Sequence, residues 1–498
     1  MSRKNVIVVG AGIGGLVAAV QLAARGLQVQ VLERAGTPGG KMREITLGTH
    51  RIDAGPTVLT MRRIFEDIFA DAGATLEDYL TLEPLEIIAR HAWSEHERLD
   101  LFADHERTVD AIGDFAGAAE AKGYRAFRDR ARMIYETLET TFIHAPRPSF
   151  FGLMKRCGLR GFGGLSGVKP YDSLWDILGD YFKDQRLRQL FGRYSTYCGS
   201  SAFQAPATLM LIAHAEQQGV WSVAGGMQQV ASALAQLAEK HGASIEYHQE
   251  VVEILTEHGH SSGVRLANGD VRAADAVVVN ADPAALSQGR LGKGASRAVP
   301  PIRPAGRSLS AMTWCLSAET QGFPLARHNV FFGRDYAAEL DDVFKHARLP
   351  RNGTVYVCAQ DRGIGESSSL HGTERLLLLL NAPPIGDKHR FDAAEIAQSE
   401  ERVFSHLEHC GLRVLRTPEN CQVTTPTEFE RFFPATGGAL YGQAYHGWTA
   451  AFKRPASRTR IPRLYLAGGS THPGAGIPMA AVSGRLAAAS LIEDLDSS

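Results

Sequence analysis

Three groups of residues in this chain have the types and spacing to do chemistry. Near the start, Gly10-Ala11-Gly12-Ile13-Gly14-Gly15 gives G-x-G-x-x-G with Gly10, Gly12 and Gly15. Glycines so spaced let backbone close on a pyrophosphate and hand it to the free N–H groups of a following helix. Glu33 stands roughly twenty positions on, where a carboxylate can accept hydrogen bonds from a ribose. A second pair, Gly39-Gly40, precedes Lys41, Met42 and Arg43, which sets a cation beside another flexible turn. Near the end, Gly468-Gly469-Ser470-Thr471-His472-Pro473-Gly474-Ala475-Gly476-Ile477-Pro478-Met479 links an apolar run to an alanine-rich segment of helical spacing. Donors at such a helix start suit a group that gains negative charge.

These residues act only if the elements around them fall in place. Val6-Ile7-Val8-Val9 reads as a buried parallel strand. Leu16, Ala19, Val20 and Ala23 recur at helical spacing, Gly26 closes that helix, and Val29 to Leu32 forms a second strand ending at Glu33. A lone G-x-G-x-x-G is weak, but strand, glycines, helix, strand and carboxylate in register predict a Rossmann-type dinucleotide domain. The second glycine pair favours FAD over a nicotinamide, with the pyrophosphate held from two sides. Gly40 and Lys41 then form the second side, Lys41 being either a point charge near phosphate or a solvated loop lysine. Asp53-Ala54-Gly55-Pro56-Thr57 is another strand-to-turn element, and Gly55 is small enough to lie against a flavin ring. Gly468, Gly476, Ile477 and Met479 would serve the N1 and O2 edge of that ring.

The fold class is α/β: a discontinuous Rossmann-type FAD-binding domain with a mixed-sheet substrate domain and a helical lobe. The FAD domain takes residues 1–105, 220–290 and 430–498, the helical substrate and membrane-contact lobe 106–219, and the substrate-binding sheet 291–429. Val230, Leu234 and Leu237 mark a helix, Asn268-Gly269 a hairpin turn, and Ala276 to Val279 a buried strand. Thr354 to Ala359 and Leu376 to Leu380 read as strands of the substrate sheet.

The chain has 498 residues and a net charge of −1, with no basic run to attract nucleic acid. Its six cysteines are scattered, with no zinc spacing, so reduced thiols are expected and no metal site. No apolar stretch approaches the roughly 18 residues of a spanning helix. Met1-Ser2-Arg3-Lys4 leads straight into a strand and leaves no room for a signal peptide, so a cytoplasmic protein is expected. Phe142 to Leu165 mixes Phe150, Phe151 and Phe162 with Lys155, Arg156 and Arg160. That mixture suits contact with a membrane surface; the alternative is a loop over the protein's own core.

Taken together, the N-terminal fingerprint, the Asp53-to-Thr57 element and the Gly468-to-Pro478 segment resemble the carotenoid desaturases of the bacterial phytoene-desaturase type. Phe203-Gln204-Ala205-Pro206-Ala207-Thr208 and Gly219 to Met227 resemble further landmarks, so the likeness spans nearly the whole chain. It implies FAD, a carotenoid substrate, peripheral association with the inner membrane, and oxygen or a quinone as electron acceptor. It also implies that the strand holding Val251 and Val252 passes the adenine. Lys41, Gly469-Ser470 and Pro478-Met479-Ala480-Ala481 look like the 1-hydroxycarotenoid 3,4-desaturase branch, with phytoene desaturase as the alternative. An amine oxidase and a non-catalytic prenyl-lipid carrier share the fold; the complete glycine set and Glu33 argue against the carrier.

Flavin desaturation asks little of side chains. A hydride leaves an allylic carbon, a proton leaves its neighbour, and the protein supplies orientation and dryness. His472 is the one candidate base, with Asp53 behind it, and each has a packing role as its alternative.

Overall fold

The computed structural model describes residues 4–146, 172–363 and 372–497. Asn5–Val9 lies at the centre of a five-stranded, wholly parallel sheet. Gln28–Leu32 and Ser244–Glu246 lie on one side of it, Ala276–Val279 and Leu464–Leu466 on the other. Side chains alternate across a strand, and here both faces are covered. Val6 and Val8 pack toward the helices Ile13–Ala24, Gln228–Lys240 and Ile477–Asp496. Ile7 and Val9 pack toward an antiparallel layer through Val251, Ile254, Val264 and Leu266. Burial on both faces is why these strands read as unbroken apolar runs.

All five strands end at one edge, the place where open parallel sheets bind ligands, and four of them lead there into residues of the candidate site. Gly10 follows Val9, Glu33 follows Leu32, Asn280 follows Val279, and Ala467-Gly468 follows Leu466.

A second, mixed sheet of eight strands runs in the order Leu412–Leu415, Ser310–Gly322, Glu374–Ala382, Val355–Ala359, His328–Phe331, Ile87–Ala92, Arg98–Phe102, with Cys421–Thr424 also on Ser310–Gly322. Ile87–Ala92 joins it in parallel with His328–Phe331. Both strands from residues 87–102 therefore lie in this sheet, whereas the sequence placed them with the FAD domain. Alternation identifies a strand but not the sheet it joins, because the pairing partner is more than 200 positions away.

Phe331 faces one core of this sheet, while Val330 and Phe332 face the helices. Those helices, Ala118–Leu138, Leu174–Tyr181 and Gln185–Gly192 among them, meet around Phe127, Phe182 and Phe191, whose ring centroids stand 4.8–5.5 Å apart. Among the described residues no helix is long and apolar enough to cross a membrane. Of the expected membrane-contact segment, Ile143 is buried and Phe142 packs edge-on to Phe452 and His472. Phe150, Phe151, Lys155, Arg156, Arg160, Phe162 and Leu165 lie outside the described residues.

Candidate active site

The glycine turn is held by contacts that leave no room for a side chain. Gly10 has φ +95°, in the region that favours glycine. A Cβ on Gly15 would fall 2.2 Å from the Gly10 carbonyl oxygen, and one on Gly14 would fall 2.6 Å from the Gly468 nitrogen. The first and last motifs therefore touch. Helix Ile477–Asp496 lies against helix Ile13–Ala24, so closely that a Cβ on Gly484 would meet the Gly14 carbonyl at 2.3 Å.

Gly12 caps its helix in extended backbone and pairs with Gly39. Gly39 donates its N–H to Ala11 O at 2.8 Å, and Gly40 backs on the Gly12 Cα. The two glycine pairs thus form one cradle. Glu33 sits beneath it, buried, its carboxylate accepting from the N–H groups of Ala11 at 2.7 Å and Ala35 at 2.8 Å.

Asn280 is the residue that sequence reasoning passed over. Its side-chain nitrogen donates to Gly10 O at 3.3 Å, and its amide is the nearest obstacle to a Cβ on Gly12 and on Gly468. The signal was present: an asparagine directly after the buried run Ala276–Val279, at the edge where ligands bind.

Lys41 and Gly55 are placed by each other. A Cβ on Gly55 would fall 2.0 Å from the Lys41 carbonyl, so this glycine is required by backbone contact whatever lies over it. The Lys41 ammonium donates to Leu440 O at 2.6 Å over the Phe433 ring. Burial lowers its pKa, with Asp282 working in the opposite direction. The solvated-lysine alternative is therefore removed.

Asp53 is not free to act as a base. Its carboxylate accepts from Met227 N at 2.8 Å and Gln228 N at 3.3 Å, at the start of helix Gln228–Lys240. Gln360 clasps its backbone from both sides, at 3.0 and 2.9 Å. A buried carboxylate at a helix N-terminus is an anchor.

Val252 is 38% exposed and falls at a shift in the ladder register between Val251 and Glu253, so it is not one of the paired positions. Its backbone can therefore turn toward a ligand. In the last motif, Gly476 has φ +103° and leads into the helix through buried Ile477 and half-buried Met479. Arg454, also unforeseen, ties the segment down. Its guanidinium donates to the carbonyls of Gly469 at 3.0 Å, Tyr441 at 2.7 Å and Gln443 at 2.8 Å.

His472 is buried and held through Nε2, which donates to Ala145 O at 2.9 Å. That bond leaves Nδ1 as a bare acceptor, without a partner among the described residues. Burial pushes its pKa down to about 4, so it is a neutral and feeble base.

The cradle suits FAD: backbone can approach a pyrophosphate from two loops, a buried carboxylate stands under them, and a helix start closes the far side. The profile of the flavin containing amine oxidoreductases matches residues 13–313, and that of the FAD dependent oxidoreductases matches residues 185–490. A putrescine oxidase structure aligns over 99% of both chains with a TM-score of 0.59 at 16% identity, and an oxidoreductase of Methanosarcina mazei over 98% of this chain and all of its own at 0.61 and 17%. These share the fold. In sequence, the chain is 52% identical to the hydroxyneurosporene desaturase of Rubrivivax gelatinosus over its whole length and 95% of that protein. It is 42% identical to the hydroxyneurosporene desaturase of Cereibacter sphaeroides, covering 99% and 98% of the two chains. The lycopene-forming phytoene desaturase of Pseudescherichia vulneris reaches 30%, over 99% of this chain and 100% of its own. The chain therefore belongs to the carotenoid desaturases, FAD-dependent oxidoreductases acting on CH–CH bonds, and within them to the group of the hydroxyneurosporene desaturases.

Proposed function

We propose that the chain introduces the C3–C4 double bond into 1-hydroxycarotenoids. The full-length identity of 52% to a hydroxyneurosporene desaturase, against 30% to a phytoene desaturase, carries this reading. Bound FAD would supply the hydride acceptor for the allylic carbon, while the chain's own residues hold and orient both partners. The Gly10–Gly15 and Gly39–Gly40 loops would hold its pyrophosphate, Glu33 its ribose, Val252 its adenine, and the Gly468-to-Met479 turn the polar edge of its ring. His472 keeps the neighbouring backbone in place as a neutral donor. The aromatic packing of Phe142 on His472 keeps water from that side. Oxygen or a quinone would reoxidise the enzyme.

Competition in liposomes between 1-hydroxyneurosporene and phytoene tests the substrate, with products read by absorption. Preferred conversion of the hydroxylated compound is expected; efficient phytoene conversion without preference would move the chain to the phytoene branch. Insoluble substrate favours a peripheral position on the inner membrane, docked through Phe142 to Leu165. Changing Phe150, Phe151 and Phe162 to serine should release the protein from liposomes with its FAD intact. Unaltered sedimentation would remove that segment from the docking surface.

A further inference from the structure

We propose that His328 reads the tertiary hydroxyl of the substrate, its Nε2 being the hydrogen-bond partner that separates a 1-hydroxylated polyene end from an unhydroxylated one. This rests on the 1-hydroxycarotenoid reading above and names the residue that enforces it.

His328 is 2% exposed. Its Nδ1 shares a hydrogen bond with the Tyr356 hydroxyl at 2.7 Å, and the two rings stack 6.1 Å apart. Nε2 is buried with no hydrogen-bond partner among the described residues. Buried polar atoms left alone are rare in folded proteins, and a ligand is one thing that pairs them.

The position suits a ligand at the flavin. The Tyr356 hydroxyl also meets Thr57 Oγ1 at 2.6 Å. Thr57 ends the turn whose Gly55 backs on Lys41, next to Gly40 in the cradle. His328 is thus two hydrogen bonds from one flavin-side turn. The Arg193 guanidinium lies 5.7 Å from the centroid of the same Tyr356 ring. The turn carrying Arg193 ends at Gly199, where a Cβ would lie 2.7 Å from the Tyr441 ring, and Gly442 backs on Ser470 of the last motif. Tyr356, the partner of His328, therefore neighbours residues that lead to both halves of the cofactor site.

Substrate geometry demands such a place. The hydroxyl is on C1 and the new double bond starts at C3. One hydrogen bond of about 2.8 Å and three covalent bonds of about 1.5 Å each separate the reader from the reacting carbon. The reader must stand beside the flavin. A hydroxyl both donates and accepts, so it satisfies Nε2 in either tautomer of His328. Burial pushes the His328 pKa down to about 3, so the ring is neutral at working pH and binds without acting as a base.

The test is the ratio of kcat/KM for 1-hydroxyneurosporene over neurosporene in wild-type holoenzyme, His328→Phe and His328→Gln, with flavin absorbance and thermal unfolding as checks on the fold. The phenylalanine variant should lose about 10–100-fold of the ratio, as expected for a buried group deprived of its partner. Glutamine, which donates and accepts, should recover part of it. A phenylalanine variant with the wild-type ratio would overturn the proposal and leave the substrate reading standing. A wild-type enzyme without any preference would overturn the substrate reading, and the proposal with it. If the phenylalanine variant does not retain FAD, 15N-histidine spectra of the wild type decide. One nitrogen signal, missing in His328→Gln, should move on adding the hydroxylated carotenoid but not the unhydroxylated one, and its failure to move would overturn the proposal.

Discussion

The cofactor cradle and the region between the mixed sheet and the helical lobe are built on opposite principles. In the cradle, backbone meets backbone. A Cβ on Gly15 would lie 2.2 Å from a carbonyl oxygen, one on Gly484 2.3 Å, and one on Gly55 2.0 Å. Between the mixed sheet and the helical lobe, volume is filled by large side chains: Arg193, Tyr197, Tyr356 and His328. Contacts that only glycine allows leave a sequence signature. A filled volume leaves little, because many side chains can fill it. Five experiments break or sharpen this contrast.

The largest effect is expected at Gly15. Gly15→Val drives a branched side chain into the Gly10 carbonyl and should cost more than about 4 kcal/mol, giving colourless or insoluble protein. A soluble variant with full flavin would break the idea that the cradle is held by backbone contact. Gly12 allows a finer cut. A Cβ there would fall 2.6 Å from Asn280 Nδ2, so Gly12→Val should be colourless for two reasons at once. Pairing Gly12→Ala with Asn280→Ala separates them: the pair should regain thermal stability while flavin content stays low. Full flavin in the pair would remove Gly12 from the pyrophosphate site.

Acid should strike three buried histidines next, two of them in the mixed sheet and one in the last glycine motif. Burial pushes His91 and His328 down to about 3 and His472 to about 4. The unfolded chain takes up these protons near pH 6.5 and the folded one only near 3–4, so the unfolded state binds more protons between those values. Stability is complete above about pH 6.5 and falls as the pH drops toward 4, by on the order of 3 kcal/mol for each of these histidines. Calorimetry across pH 4–8 checks the slope. His328→Gln should flatten it, and an unchanged slope in that variant would show that His328 is not among the responsible groups.

Glu33→Gln should be milder. The side chain keeps one acceptor for Ala11 or Ala35 and turns an NH2 toward the other, losing about 1–2 kcal/mol. Flavin affinity should fall about 10-fold in a titration of apoprotein. Unchanged affinity would take the carboxylate off the ribose.

The smallest effect is expected at the border between the two regions. Thr57→Val removes the bond to Tyr356, which keeps its bond to His328, at a cost of about 1 kcal/mol with flavin content intact. Loss of flavin in this variant would show that the border lies elsewhere.

Much of this molecule was legible in the chain. The strand at Val6–Val9, the helix after it, the hairpin at Asn268-Gly269 and the helix behind Pro478 all follow from local pattern, because each is specified by its own neighbours. Asp53 could be read only as a polar residue before a turn and as a second candidate base behind His472. Its role as the anchor of Gln228–Lys240 needs a partner 174 positions away. Ile87–Ala92 falls within the span 1–105 given to the FAD domain but joins the other sheet through His328–Phe331, more than 200 positions on.

The sequence by itself determined the βαβ unit, the two glycine motifs and the FAD they imply, because close backbone approach admits only glycine and prints its spacing on the chain. Tertiary structure alone decided that Asn280 and Gly468 meet Gly10–Gly15, that Arg454 ties down the last motif, and that one buried nitrogen of His328 has no partner among the described residues. Each of these is a meeting of segments distant in the chain. Side-chain hydrogen bonds between such segments have no period and no fixed spacing, so only the folded backbone brings them within reach.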